Sequence, residues 1–231
     1  MNKGKCYGVS VGPGDPKLIT YKAGDILKSA DVIFLPSAPK EKCRVYQIIK
    51  ASEIDIPEDK FICVNTKEMA DPSVQGERYD ILTEKVSELL DKGYNVAFPA
   101  LGEVCLYSTY MYVEMRLIQK GYICENISGI SSVQETANRL LISLAQGDEE
   151  VHIFPDTKNL ATDLLAKGTK VFMKPKSNLD ETIAKIKEYA SNNTETEVYG
   201  ISNCGCDNEI IAHNIDELNK LSGYMTVIIV K

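Results

Sequence analysis

Positive charge is scarce: 26 lysines and arginines stand against 33 aspartates and glutamates, a net charge of −7. A chain this acidic argues against bulk binding to nucleic acid or to an anionic membrane surface. Long apolar runs are also missing, and none approaches the ~18 residues that a bilayer span needs. The opening MNKGKCYGVS has no apolar h-region, so no secretory signal is expected and a cytoplasmic location is. Histidine is nearly absent, and His152 and His213 sit in no metal motif. The seven cysteines are odd in number and scattered; only Cys204-Gly205-Cys206 lie close together. CxxC spacing is lacking, so free buried thiols are expected rather than a metal centre.

What is present can build a core. With 231 residues, 44% of them hydrophobic, the chain allows one large domain or two of ordinary size. Strand-like runs recur near 6–11, 31–35, 61–64, 95–99 and 122–127, with helical patterns between them. In KLITYKAGDILKSA, residues Leu18, Tyr21, Ile26 and Leu27 are expected on one face. In ERYDILTEKVSELLDKG, residues Ile81, Leu82, Val86, Leu89 and Leu90 follow helical spacing, and Gly93 signals the end. STYMYVEMRLIQKG reads as a third helix closed by glycine. Strands alternating with helices predict a parallel sheet. After a helix at SSVQETANRLL, further strands are expected near 151–154, 169–173, 197–201, 209–213 and 224–230. The last four are separated partly by short turns, which predicts a mixed or antiparallel sheet. The expectation is an α/β chain of two domains, 1–126 and 127–231.

The run YGVSVGPGDPKLITYKAGDILKSADVIFLP raises the question of function. A dinucleotide fingerprint would need a third glycine, where Lys17 stands, and an acidic residue after the second strand, where Leu35-Pro36 stands. A P-loop would need G-K-[ST], which is absent, and Pro13 and Pro16 remove two backbone donors from any phosphate cradle. What remains is a stiff turn that closes against a ligand or a second domain. Asp15, with Pro16 behind it, can cap the following helix.

That run resembles the N-terminal signature of the tetrapyrrole (corrin/porphyrin) methylase family, through Gly12, Pro13, Gly14, Asp15, Leu18, Thr20, Lys22, Ala23, Leu27, Ala30, Asp31 and Val32. FPALGEVCLYSTYMYVEMRL and ISGISSVQETANRLLISLAQGDEEVHIFP are similar to later segments of the family. The Tyr-Ser-Thr-Tyr run and the GISS…LAQGDE segment resemble the enzymes that methylate carbon 20 of precorrin-2 or cobalt-factor II. The likeness covers nearly the whole chain and is weakest after Lys176. The sequence departs from the pattern at Glu103 and Val104, where the family has Asp and Pro, and at Ser128, where it has Pro.

The resemblance implies two α/β domains with a cleft between them, S-adenosylmethionine (SAM) as methyl donor, an anionic tetrapyrrole as substrate, and a homodimer. It implies SAM contacts at Pro13, Leu101, Gly102, Glu103, Leu106 or Tyr107, Ser131, Ser132, Met173 and Thr226, and along 201–205. Lys174 is placed at the cleft by the resemblance; Glu103, Lys174 and Tyr107 are the candidates at the chemistry, with Asp15, Tyr110, Lys174 and Tyr224 on the substrate. Methyl transfer needs nucleophile, methyl and sulfur in line, and the methylated carbon must then lose its proton. Glu103 is the candidate base. Lys174 is the candidate partner for the substrate carboxylates, with Lys176, Arg44 and Arg116 behind it, and Tyr107, Tyr110, Tyr112 and Tyr224 could flank a planar ring. Plainer roles stand beside these. Glu103, Asp15, Ser131 and Ser132 could cap helices, Met173 could be core, and the cations could be solvated. A sibling methylase acting at another carbon, and a carrier that binds SAM or tetrapyrrole without turnover, are the rival functions.

Overall fold

In the computed structural model, which describes residues 2–37, 39–66, 71, 73–74, 76–175 and 179–231, all ten expected strands form. The chain divides into two compact units, Met1–Ser131 and Ser132–Lys231. That division falls five residues after 126, because the last strand of the first unit pairs through Ile127 and Gly129 is hydrogen-bonded back to Glu103.

The first unit holds β1 (Lys5–Ser10), β2 (Val32–Leu35), β3 (Phe61–Cys63), β4 (Val96–Ala100) and β5 (Ile123–Ile127). They form a parallel sheet of order β3-β2-β4-β1-β5. The central strands are apolar throughout, β2 as VIFL and β4 as VAFPA, because helices cover both faces. On one face α1 (Tyr21–Ser29) and α2 (Arg44–Ala51) pack Leu27, Val45, Ile48 and Ile49 onto Val9, Ile33 and Ala97. On the other, α3 (Glu77–Asp91) and α4 (Thr109–Gln119) pack Leu82, Val86, Leu90, Val113 and Leu117 onto Cys6, Phe34, Val96 and Phe98. Gly93 (φ 86°) closes α3 and Gly121 (φ 80°) follows α4, as their positions predict.

The α1 face differs from the expected one. Leu18 belongs to a separate 3-10 turn, Pro16–Leu18, and the helix begins only after Thr20, whose hydroxyl accepts from Ala23 N–H. That start sets the rotation: Ala23, Gly24 and Leu27 turn inward, and Tyr21 is 98% exposed.

The second unit begins with α5 (Ser132–Leu140) and contains β6 (Val151–Phe154), α6 (Leu160–Asp163), β7 (Thr169–Met173), α7 (Leu179–Asn192), β8 (Val198–Ser202), β9 (Ile210–Ala212) and β10 (Thr226–Val230). The sheet order is β6-β7-β10-β8-β9. Only β6–β7 is parallel; the other pairings are antiparallel, so the sheet is mixed. Phe172, Ile228 and Val230 pack against Leu160, Ile183, Ile186 and Leu218. A short turn joins β8 to β9, but α7, which the sequence pattern did not reveal, spans β7 to β8. Only Thr182, Ile183 and Ile186 are buried along it, too narrow a stripe to stand out. Among the described residues, no helix is long and apolar enough to cross a membrane.

Candidate functional site

Parallel α/β sheets bind ligands beyond the carboxyl ends of their strands, where neighbouring connections leave in opposite directions. In the first unit β1 and β4 form one such pair. The connection from β1 passes over β4 to reach β2, and that from β4 passes over β1 to reach β5. The two chains stay joined just past their strands. Val11 N–H donates to the Ala100 carbonyl (3.0 Å) and Gly102 N–H to the Gly12 carbonyl (2.8 Å). Gly12 (φ 77°) and Gly102 (φ 72°) are both left-handed, a conformation that costs glycine nothing. A Cβ on Gly12 would stand 3.3 Å from that of Leu18.

Several of the sequence candidates gather on this rim. Pro13 and Gly102 are buried, while Leu101, Glu103 and Leu106 are half-buried. Asp15 accepts from Lys17 N–H (2.9 Å), capping the 3-10 turn. Glu103 does not cap α4, whose N-cap is Ser108. One of its oxygens accepts from Cys105 N–H (3.3 Å) and the other from Gly129 N–H (2.6 Å), which holds the segment after β5 against the loop after β4. Ser10, not singled out by sequence, accepts from Val104 N–H through its buried hydroxyl (2.8 Å). A Cβ on Gly129 would overlap the Cβ of Ser10, so only glycine lets the segment after β5 come so close. Ser131 is buried at the end of this unit, and Ser132 opens α5.

The tyrosines separate. Tyr107 is 44% exposed in the loop before α4 and has φ 52°, a left-handed angle unusual for an aromatic residue. Tyr110 is 0% exposed: its ring lies over Gly8 and packs on Phe98 at 5.3 Å. It therefore presents no surface to a substrate, contrary to the expectation for it. Tyr112 stacks on Tyr79 at 4.4 Å. Arg116 is committed to Asp80 (2.6 Å) and the Tyr112 carbonyl (2.9 Å) on the outer side of α3 and α4. Arg44 is the first residue of α2.

In the second unit, the end of β7, the end of β8 and the start of β10 share one edge, because β10 runs antiparallel to both neighbours. Met173, Lys174, Thr226, Tyr224 and the 201–205 segment all fall there, although up to 53 residues separate Met173 from Thr226 in sequence (226 − 173). Lys174 (φ 50°) and Asn203 (φ 54°) leave their strands in left-handed turns. Their N–H groups donate to the carbonyls of Thr226 (3.0 Å) and Met225 (2.8 Å). Met173 is buried and faces away from Phe172 on the same strand. Thr226 is buried too. Its hydroxyl bonds Ser202 Oγ (2.8 Å) and donates to the Gly223 carbonyl (2.9 Å). Tyr224 is 51% exposed. Lys176 lies outside the described residues.

Sequence reasoning named Asn203 only as part of the 201–205 segment and did not single out Arg139 or Glu209. The signal for Asn203 was available: asparagine followed by Cys-Gly after a strand favours a left-handed turn. Neither cysteine of the Cys-Gly-Cys pair is in a disulfide, and burial pushes Cys204 up to about 12, so it stays a neutral thiol. Among the described residues, no three His, Cys, Asp or Glu side chains cluster as a metal site requires.

Comparison with known proteins completes the description. The sequence model for Tetrapyrrole (Corrin/Porphyrin) Methylases matches residues 5–219. The chain is 35% identical over 240 aligned positions to a probable cobalt-precorrin-2 C(20)-methyltransferase of Methanocaldococcus jannaschii, covering 100% of this chain and 98% of the relative. It is 28% identical over 211 positions to a probable cobalt-precorrin-7 C(5)-methyltransferase of the same organism, covering 89% and 87%. The solved structure of a cobalt precorrin-4 methyltransferase superposes with a TM-score of 0.73 at 18% identity, over 98% of this chain and 94% of that one.

Proposed function

The chain belongs to the tetrapyrrole (corrin/porphyrin) methylases, and on that premise we propose that it methylates carbon 20 of cobalt-factor II or precorrin-2 with SAM as donor. The observation that carries this reading is the end-to-end 35% identity with a relative of that named activity. The second reading, a sibling acting at carbon 5, has the weaker 28% likeness behind it.

The residues at both strand edges fit a SAM donor. Pro13 and Pro16 have no N–H to offer a phosphate, and SAM has no phosphate. The glycine turns at Gly12 and Gly102 and the left-handed turns at Lys174 and Asn203 instead bring main chain to the rims. SAM, when bound, supplies a methyl group on a positively charged sulfur. Backbone groups of Pro13, Leu101–Glu103, Met173, 201–205 and Thr226 are the proposed contacts, with Leu106, Ser131 and Ser132 beside them. Lys174 is assigned to a substrate carboxylate, where a mobile ammonium needs no fixed geometry. Tyr107 and Tyr224, both well exposed, are assigned to the face of the macrocycle, and Asp15 to its rim. Glu103 is assigned to holding the loops after β4 and β5 in register for substrate, since both its oxygens accept backbone N–H groups.

The test is incubation with SAM labelled in its methyl carbon and, separately, with cobalt-factor II and precorrin-2. A mass gain of one methyl, placed at carbon 20 by carbon NMR, is the expected result. A label at another carbon supports the sibling reading. Tight SAM binding with no transfer to either macrocycle sinks the C20 assignment.

A further inference from the structure

The turn after β8 is held by a set of ionic contacts that none of the roles above uses. Arg139, in the last turn of α5, donates from Nε to Glu135 (2.8 Å) and from Nη1 to Glu209 (3.2 Å). The second oxygen of Glu209 accepts from Gly205 N–H (2.6 Å), while Glu209 N–H donates to the Cys206 carbonyl (2.9 Å). Cys206 N–H in turn donates to the Asn203 carbonyl (3.0 Å). One guanidinium thus reaches, through one carboxylate, into the turn that carries the left-handed Asn203 and Gly205. The set is shielded from water: the side chains of Glu135, Glu209 and Arg139 are 11%, 15% and 31% exposed. Cys204, the next residue after Asn203, is buried with its thiol beside Thr136 and near the same three charged groups.

Two carboxylates sharing one cation in such surroundings form an expensive arrangement. Replacing it with apolar side chains of similar size is often neutral for stability or favourable, so stability alone does not account for it. What it does provide is direction. Arg139 fixes where Glu209 points, and Glu209 fixes where Gly205 and Asn203 present their backbone.

We propose that Arg139 is a positioning residue for the methyl donor, acting through Glu209 to hold the 203–206 turn in the shape that receives SAM. This rests on the reading of that turn as a SAM contact. Glu135 serves as the second anchor that keeps the guanidinium in place.

The test is SAM affinity by titration calorimetry, measured alongside the thermal midpoint and without any macrocycle. Arg139→Met is expected to weaken SAM binding about tenfold or more. Glu209→Gln keeps an oxygen for Gly205 but loses Arg139, and is expected to weaken binding by about threefold or more. Ile186→Ala, in the core on the α7 side, lowers the thermal midpoint and is expected to leave SAM affinity within about twofold of wild type. If Arg139→Met does not fold, the comparison of Glu209→Gln with Ile186→Ala decides. Variants that bind SAM as wild type does, or an Ile186→Ala that weakens binding equally, overturn the inference. A wild-type chain that binds no SAM overturns the functional reading beneath it, which is a different result.

Discussion

Lys174 and Asn203 follow β7 and β8, the two strands that flank β10, each with φ near 50°, a region that costs an ordinary side chain about 1–2 kcal/mol. Glycine would remove that cost while losing about 0.5–1 kcal/mol through its freer unfolded state. Lys174→Gly is therefore expected to be neutral or to gain up to about 1 kcal/mol in urea unfolding. The same variant is expected to lose about tenfold or more in kcat/KM for the macrocycle, as a charge-assisted contact disappears. A fall in stability with unchanged kcat/KM would show that the lysine is there for the fold. Glu103 can be tried in the same way. Its carboxylate accepts two backbone N–H groups, and a glutamine must turn its own N–H toward one of them. Glu103→Gln is expected to cost about 1.5–3 kcal/mol in urea unfolding. Unchanged stability with lost turnover would instead make Glu103 the base.

At the level of elements, α4 shows how one helix can serve two roles. Its Tyr110 anchors the helix on Gly8 and Phe98, while the loop in front exposes Tyr107. The Tyr110 hydroxyl finds no nitrogen or oxygen partner among the described residues; burial and the thiols of Cys6 and Cys124 keep it protonated. Tyr110→Phe is expected to cost under about 1 kcal/mol, and Tyr110→Ala about 3–5 kcal/mol, both by thermal unfolding. A costly Phe variant would reveal a hydrogen bond. An ionic contact links β1 and α1 to β5: Glu125 accepts from Lys5 of β1 (2.5 Å) and Lys22 of α1 (2.9 Å), which lowers its carboxyl from 4.5 to about 2. A lowered folded-state value means that this contribution is full above about 4.5 and is lost as pH falls through about 2. The stability gap between wild type and Glu125→Gln is expected to be small at pH 7, since the group is partly exposed, and to close between those values. A gap that persists at pH 2 would rule out the ionic origin. Elements also explain Pro99 inside a central strand. β2 pairs with β4 only through Ala97, so the missing N–H falls where β4 needs a partner on one side alone.

For the whole molecule, a net charge of −7 would repel the anionic tetrapyrrole proposed as substrate. Long-range repulsion is screened by salt, and contacts at the rim are less so. Raising ionic strength from about 20 to about 200 mM is expected to raise kcat/KM for the macrocycle. A steep fall would mean that a local cluster of cations governs capture. At this scale much was legible beforehand. Ten strands stood where apolar runs predicted them, the first sheet is parallel, and the second is mixed. Met173, Lys174, Thr226 and the 201–205 segment, suggested by likeness to a family, lie along one edge. Tyr110 is core and Tyr21 is exposed, against expectation, because spacing along a helix gives a period and not the direction in which it points.

The sequence by itself determined the alternation of strands and helices, the stiff Gly12-Pro13-Gly14-Asp15 turn and the family. These depend on residues near one another in the chain, where side-chain period and glycine or proline geometry act directly. Only the tertiary structure decided that Tyr107 is exposed while Tyr110 is core, that Glu103 reaches Gly129, and that Arg139 meets Glu209 seventy residues away. Those outcomes depend on strand order and on where Thr20 and Ser108 start their helices, and so on packing between segments far apart in the chain.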